Sequence, residues 1–332
     1  MRIDFLESVR GVAILAVLAY HIAGAAYGTD RLGWDGILPD FESRPAVLFP
    51  LSFGCYGVAV FFVLSGFLIH HTFTGSWRAY VGRRFWRIYP PYLVALAGFV
   101  VLSRTSDVWQ ILSHALLIHN FTGSTLFGIC PAFWSIAVEC QLYALYPLIL
   151  AASVRFGWRH TLAVCAASEV LSRLAWGAAL TADRWIPPFL LGSPTTYLFS
   201  WSIGAALADA YQNQNRLRLP SFWLLAGLGV ACQSIRPLFP LAFTMAALAT
   251  ASALQHFLTH PPSVSCPPLR WLGLISYSVY LLHQPLLQWP LVAALAPVLF
   301  FTLIERPSHH LGRRLTRTGT RRSASSSVRR SA

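Results

Sequence analysis

Apolar residues along this chain come in long blocks, and the charged residues gather in the gaps between them. A helix must carry about 20 consecutive apolar residues to cross a bilayer core roughly 30 Å thick. Ten blocks approach that length, at 9–27, 49–71, 88–103, 133–154, 161–181, 195–211, 221–235, 238–257, 271–288 and 290–306. The pattern predicts an all-α, polytopic integral membrane protein with about ten transmembrane helices. Several blocks are short or end on proline, which suits tilted or broken spans. Segment 107–121 is apolar, with Trp109, Leu112, Leu116 and Leu117, but too short to span, and it carries His114, His119 and Asn120. It is expected as a re-entrant or interfacial helix on the outer side.

Composition sharpens this picture. Hydrophobic residues make up 55% of the 332 residues and charged residues only 11%, which excludes disorder, coiled coil and most soluble enzymes. All 25 basic residues are arginine, and the net charge is +13. Seven arginines lie after residue 306, leaving 18 basic against 12 acidic residues elsewhere. Such basicity elsewhere suggests nucleic acid, but here membrane topology accounts for it and no nucleic-acid partner is expected. With the N-terminus inside, 19 arginines fall in inner segments and five outside, while Asp30, Asp35, Asp40 and Glu42 fill the first outer loop. This is the positive-inside bias, and an even number of spans returns the C-terminus to the cytoplasm. Residues 1–310 form the transmembrane domain, and 311–332 are read as a basic, Ser/Arg-rich, disordered cytoplasmic tail near anionic lipid headgroups. Residues 11–26 resemble a signal peptide, but Asp4 and Glu7 spoil its basic start. The six cysteines lack metal-ligand spacing, so no metal is expected. Free buried thiols are the default, with a Cys55–Cys130 bridge outside as the other option.

Ionisable residues inside a membrane are costly, so each is a functional candidate. His21 lies in the first block, eleven residues after Arg10. On a helix the two are about 16 Å apart along the axis and only about 20° apart around it. A cation at the inner mouth and an imidazole at mid-depth then share one face. Two readings stand: a titratable centre, or an anchoring arginine plus a histidine bonded to a carbonyl. Ser135, Glu139, Tyr143 and Tyr146 form a polar stripe on the fourth block, and its carboxylate needs a partner or forms a structural ion pair. Glu169 and Arg173, at i, i+4, read as a structural pair. Arg83, Arg84 and Arg87 lie in the inner loop before the third block, interleaved with Phe85, Trp86 and Tyr89, and suit phosphates or headgroups. Gly54, Gly57, Ser65 and Gly66 read as close helix packing, and His283 as a core histidine bonded to a carbonyl. No nucleophile elbow, P-loop or dinucleotide fingerprint occurs.

Six stretches in order carry a family resemblance: FLESVRGVAILAVLAYHIAG, GCYGVAVFFVLSGFLI, RRFWRIYPPYLVAL, AFWSIAVECQLYALYPL, LGLISYSVYLLHQPLL and IERPSHHLGRRL. They resemble the membrane acyltransferase 3 family, the sugar O-acyltransferases of bacterial envelopes, over residues 1 to about 315. Arg10 and His21 match its Arg/His pair, and Arg84 and Arg87 its RxxR. The resemblance implies ten spans in the bacterial inner membrane and cytoplasmic acyl-CoA, usually acetyl-CoA, as co-substrate. It implies an acceptor hydroxyl on a glycan or lipid-linked sugar, of lipopolysaccharide or exopolysaccharide type. His21 is then the catalytic centre, Arg10 orients donor or histidine, and Arg84 and Arg87, with Arg83 beside them, hold the CoA phosphates. Glu139 is expected to orient groups or balance charge near the site. Some members add a soluble hydrolase-like domain; here an acyl relay beyond the membrane is expected to need a separate periplasmic partner. The competing reading is a proton-coupled transporter or flippase of a glycan or lipid, using the same ionisable residues without acyl transfer.

Overall fold

Large apolar side chains face outward along the helices, while charged and polar side chains are buried within a mainly apolar interior. Leu148, Leu291 and Leu303 are exposed, whereas Glu169, Arg173, Ser202, Ser278 and His283 are buried. That arrangement is what a bilayer as solvent selects. A computed structural model describes residues 5–27, 48–262 and 266–316. Arg2, Arg31 and Arg44, the acidic first outer loop and tail residues 317–332 lie outside the described residues.

All regular structure among the described residues is helical. In chain order the principal helices are α1 (Phe5–Tyr27), α2 (Gly57–Thr72), α3 (Trp77–Ser103), α4 (Val108–Ala115), α5 (Phe133–Thr181) and α6 (Leu198–Gln212). They continue as α7 (Phe222–Ser234), α8 (Leu241–Thr259), α9 (Pro267–Leu274), α10 (Ser276–Leu286) and α11 (Pro290–Thr316). Among the described residues, six helical segments are long and apolar enough to cross a membrane: α1, α2 with the turns before it, α3, α5, α8 and α11. The other predicted blocks are helical but shorter, with 15 residues in α6 and 13 in α7.

Four boundaries differ from the sequence reading. First, α3 begins at Trp77, so the Arg83–Arg87 cluster lies on a helix rather than in a loop. Ser76 caps it, its Oγ accepting from Ala79 N at 3.3 Å, and arginine-rich sequence is a good helix former. Second, the blocks at 133–154 and 161–181 join into one run bent at Gly157. Its φ of 78° and ψ of 158° are open only to glycine, and they redirect the chain between two helical halves. Third, the block at 271–288 divides into α9 and α10 at Ile275. Fourth, α11 runs on to Thr316, past the expected start of the tail, with Gly312 packed on Trp86 of α3 and Ser308 Oγ donating to the Trp86 carbonyl. Segment 107–121 holds the short α4, capped by Asp107 and tied to α3 by Tyr92 Oη donating to His114 O at 2.9 Å.

Small residues set the closest helix approaches. A Cβ on Gly66 would stand 2.0 Å from Trp201 O, and one on Gly204 2.0 Å from Val63 O, so α2 and α6 meet backbone to backbone. Around this contact the core is aromatic and aliphatic, with Phe62, Phe67, Tyr92, Phe133, Tyr146 and Trp201 fully buried.

Candidate active site

Arg84 and Arg87 are three residues apart on α3 and so share a face. With Arg10 of α1 they line one void of about 740 Å³, opposite Glu139 and Tyr143 of α5 and Ser65 of α2. Arg83 is turned about 100° from Arg84 and does not line this void. Arg84 Nη2 donates to Thr72 Oγ1 at 3.2 Å, its guanidinium carbon lies 5.9 Å from the Tyr143 ring centroid, and its buried Nε has no partner among the described residues. Three guanidiniums thus face one carboxylate in a partly enclosed site, which favours a polyanion.

The Glu139 carboxylate terminates an ordered wire. Tyr143 Oη donates to Glu139 Oε1 at 2.5 Å. With that proton committed, the Ser65–Tyr143 contact at 3.0 Å has Ser65 as donor, and Ser65 Oγ in turn accepts from Trp201 Nε1 at 3.3 Å. Every bond runs toward the carboxylate. Ser65, read from sequence as packing, is therefore a polar member of the site, whereas Gly54, Gly57 and Gly66 do lie at close backbone contacts. A second carboxylate, Glu305, was not singled out from sequence. It ends the π-helical turn Phe301–Glu305 in α11, is buried, and accepts from Ser278 N at 3.1 Å and Ser278 Oγ at 2.5 Å. Its charge acts on both Arg10 and Arg87. An extra residue in a helical turn re-aims the side chain that follows, and the glutamate of the IERPSHH stretch is the signal that sequence offered.

His21 does not line the arginine void. It lies on a neighbouring void of about 320 Å³, and Val58 and Tyr280 line both. Tyr280 is fixed in this shared wall by its contact with Ser135 Oγ at 2.6 Å. His21 Nδ1 stands 2.9 Å from Val17 O and 3.3 Å from His283 Nε2. His283 Nδ1 is 2.8 Å from Tyr280 O, so it carries the proton there and its Nε2 accepts. His21 Nδ1 is then the donor, which places the basic lone pair on His21 Nε2. His283 does bond a carbonyl, as expected for a core histidine, and its Nε2 also lies beside the His21 Nδ1 proton that the Val17 carbonyl fixes.

The other candidates lie apart from this pair of voids. Glu169 and Arg173 form a buried pair at 3.2 Å. His114 and His119 stack with centroids 4.0 Å apart, and burial beside His114 pushes His119 down to about 3, so it is neutral at physiological pH. All six cysteines are free thiols. Among the described residues, no group of three or more His, Cys, Asp or Glu side chains is placed to hold a metal ion.

Comparison with known proteins gives one family. A family model described as an acyltransferase domain matches residues 3–304. The peptidoglycan O-acetyltransferase OatA of Listeria monocytogenes is 24% identical, over 90% of this chain and 50% of its own length. The acyltransferase MdmB of Streptomyces mycarofaciens is 29% identical over 45% of this chain and 39% of its own. Nodulation protein 10 of Rhizobium leguminosarum is 24% identical, over 71% and 73%. The chain spans about half the length of the peptidoglycan relatives it matches. No solved structure matches.

Proposed function

The chain belongs to this acyltransferase family and is a multi-pass membrane enzyme, and from that premise we propose that it moves an acetyl group from cytoplasmic acetyl-CoA to a hydroxyl of a glycan or lipid-linked sugar, with His21 as catalytic centre. Membership of an enzyme family displaces the transporter reading. One observation carries the proposal: the void lined by Arg10, Arg84, Arg87 and Glu139 shares a wall with the void that holds His21.

The donor is a long polyanion with a thioester at its far end. Arg84 and Arg87 hold its phosphates by charge-assisted hydrogen bonds, Arg10 adds charge from α1, and Arg83, which does not line the void, adds charge on the same helix. The thioester arm then has about 16 Å of α1 to follow from Arg10 to His21. Glu139 and Glu305 keep the arginine set from carrying three uncompensated charges, and the Tyr143 bond holds Glu139 in place.

At the imidazole, His21 Nε2 takes the proton of the acceptor hydroxyl as its oxygen attacks the thioester carbonyl carbon. The C–S bond breaks, and the departing thiolate takes that proton to leave as the CoA thiol. The Val17 carbonyl holds the tautomer this needs by accepting from Nδ1, and the His283 Nε2 lone pair beside it supports the imidazolium as it forms. The reading places the protein in the bacterial inner membrane with ten spans, both termini in the cytoplasm and Arg10 at the inner mouth, so the acyl group leaves the soluble donor pool and reaches an envelope sugar.

The test is acetyl-CoA turnover by the full chain in nanodiscs supplied with crude envelope glycan. A general base contributes about 10²- to 10⁴-fold, so His21→Ala should lose that much turnover while unfolding at the wild-type temperature. Wild-type turnover in His21→Ala would refute the assignment.

A further inference from the structure

Beyond the two voids of the proposed mechanism lies a third of about 820 Å³, lined among others by Arg173, Trp176, Trp134, Tyr197, Phe243 and Cys55. Cys55 and Trp134 also line the His21 void. Three helices separate the arginine void from the other two. On α2 and the turn before it, the arginine void takes Leu68, Ser65 and Val58, the His21 void Val58 and Cys55, and the third void Cys55 and Tyr56. On α5 the arginine void takes Tyr143, Glu139 and Ser135, and the other two share Trp134. On α10 the sequence runs from Tyr277 through Tyr280 to Gln284. Leu68 and Cys55 are 13 positions apart, about 20 Å of helix. The third void and the His21 void thus both lie at the end far from the arginines, side by side across Cys55 and Trp134.

This void contains donors with nothing to donate to. Arg173 is 1% exposed. Its Nε bonds Glu169 Oε1 at 3.2 Å and its Nη1 bonds Pro240 O at 2.9 Å, but its buried Nη2 has no partner among the described residues. The guanidinium carbon is 4.6 Å from the Phe243 ring centroid and 5.1 Å from that of Tyr197, so its position is fixed by aromatic rings. The indole Nε1 of Trp176 is also buried and without a partner among the described residues. A buried donor left unpaired is unfavourable, so such groups beside open space call for an acceptor atom there.

We propose that this third void is the acceptor site and takes a sugar ring bearing an amide or carboxylate oxygen. The proposal rests on the acyltransferase reading above and names the substrate class of that same site. Aromatic faces suit the C–H faces of a pyranose ring, and its walls supply Trp134, Trp176 and Phe127, while Tyr197 and Phe243 hold Arg173. The free groups are donors only, so the ligand must present an acceptor oxygen; Arg173 Nη2 and Trp176 Nε1 would each bond one. The net charge of the Glu169–Arg173 pair is zero, so a neutral amide carbonyl is admitted as well as a carboxylate. A ring seated here turns its hydroxyls toward Cys55 and Trp134, the entrance to the His21 void.

The test measures oligosaccharide and acetyl-CoA binding separately, on the full chain in nanodiscs, by quenching of tryptophan emission. The probes are tetra-N-acetylchitotetraose and a tetragalacturonate. Trp176→Phe removes one donor with little change of shape. Arg173→Lys removes Nη2 and keeps a positive charge beside Glu169. The expected result is saturable binding of at least one probe to wild type, about tenfold weaker in each variant, the loss of one hydrogen bond of roughly 1.4 kcal/mol. Acetyl-CoA binding should not move. Equal sugar affinity in wild type and both variants, or no saturable binding of either probe, overturns the acceptor site. Loss of acetyl-CoA binding from wild type itself would instead fail the donor assignment, so the two readings fall separately.

Discussion

Glu169 accepts four hydrogen bonds and Glu139 accepts one, although both sit on α5 among apolar neighbours. Glu169 Oε1 takes Arg173 Nε, Ser200 Oγ at 2.6 Å and Thr244 Oγ1 at 2.7 Å, and its Oε2 takes Ser200 N at 2.8 Å. Its lone pairs are filled by the protein, and its charge is cancelled by one arginine. Glu139 is half-buried beside a void, holds Tyr143 alone among the described residues, and faces three arginines rather than one. The first region is internally neutral and complete as a carboxylate site. The second sets three arginines against Glu139 and the nearby Glu305 and keeps an excess of positive charge beside open space. A buried ion pair by itself therefore says little about function; unfilled capacity next to open space says more.

The largest effect should come from breaking the complete region. Glu169→Leu leaves Arg173 as an uncompensated buried charge, and loss of one partner from such a pair typically costs about 3–5 kcal/mol. The variant should lose thermal stability or fail to accumulate in membranes. Glu169→Leu/Arg173→Leu should recover most of that loss, because replacing both charges is far cheaper than stranding one. Thermal unfolding of both variants in nanodiscs decides it. A double variant as unstable as the single one would mean that Glu169 acts through Ser200 and Thr244, not through its charge.

Next in size are Arg84→Ala and Arg87→Ala. A hydrogen bond to a charged group contributes about 1.5–3 kcal/mol, so each should raise the KM for acetyl-CoA about 10- to 100-fold with little change in unfolding temperature. Arg83→Ala, whose side chain does not line the void, should change it far less. Equal effects of all three would show that a diffuse basic surface, not the α3 face, holds the donor. Smaller still is Glu139→Gln. The amide still accepts from Tyr143 but no longer offsets the arginines, and kcat should fall about tenfold, roughly 1.4 kcal/mol. An unchanged kcat would put Glu139 in the same structural class as Glu169.

Much of this contrast was legible in the sequence. Block length gave the helical membrane protein, because bilayer thickness acts on each segment alone. Arg10, His21 and Glu139 stand out because charge in an apolar run is rare, and Arg84 and Arg87 stand out as a cluster before the third block and as a match to the family's RxxR. What escaped depends on tertiary contact. Only folding brings His283 to His21, or Glu305 to Arg10 and Arg87. The loop assigned to 77–87 is helix because Ser76 caps it, a local cue that the apolar count did not weigh. The single run at 133–181 reflects how helix joins at Gly157, where one glycine dihedral replaces an expected loop. The open donors of Arg173 and Trp176 have no sequence signature, since an i, i+4 pair looks the same whether or not a void adjoins it.

The smallest effect separates two adjacent residues that sequence groups together. Ser65 and Gly66 both read as small packing residues on α2. A Cβ on Gly66 would meet Trp201 O at 2.0 Å, so Gly66→Ala must push α2 and α6 apart. Ser65 instead carries the bond from Trp201 to Tyr143, and so helps hold the Glu139 end of the arginine void. Ser65→Ala keeps a small side chain and removes only the hydroxyl. If Ser65 is packing alone, this change is silent. If it is part of the wire, Tyr143 loses the donor that orients it, and about 1 kcal/mol is at stake. Turnover should then fall about fivefold while the unfolding temperature stays near wild type, and Gly66→Ala should do the opposite, losing stability first. Matching losses of stability in both variants would return Ser65 to the packing class and leave Tyr143 as the only residue that orients Glu139.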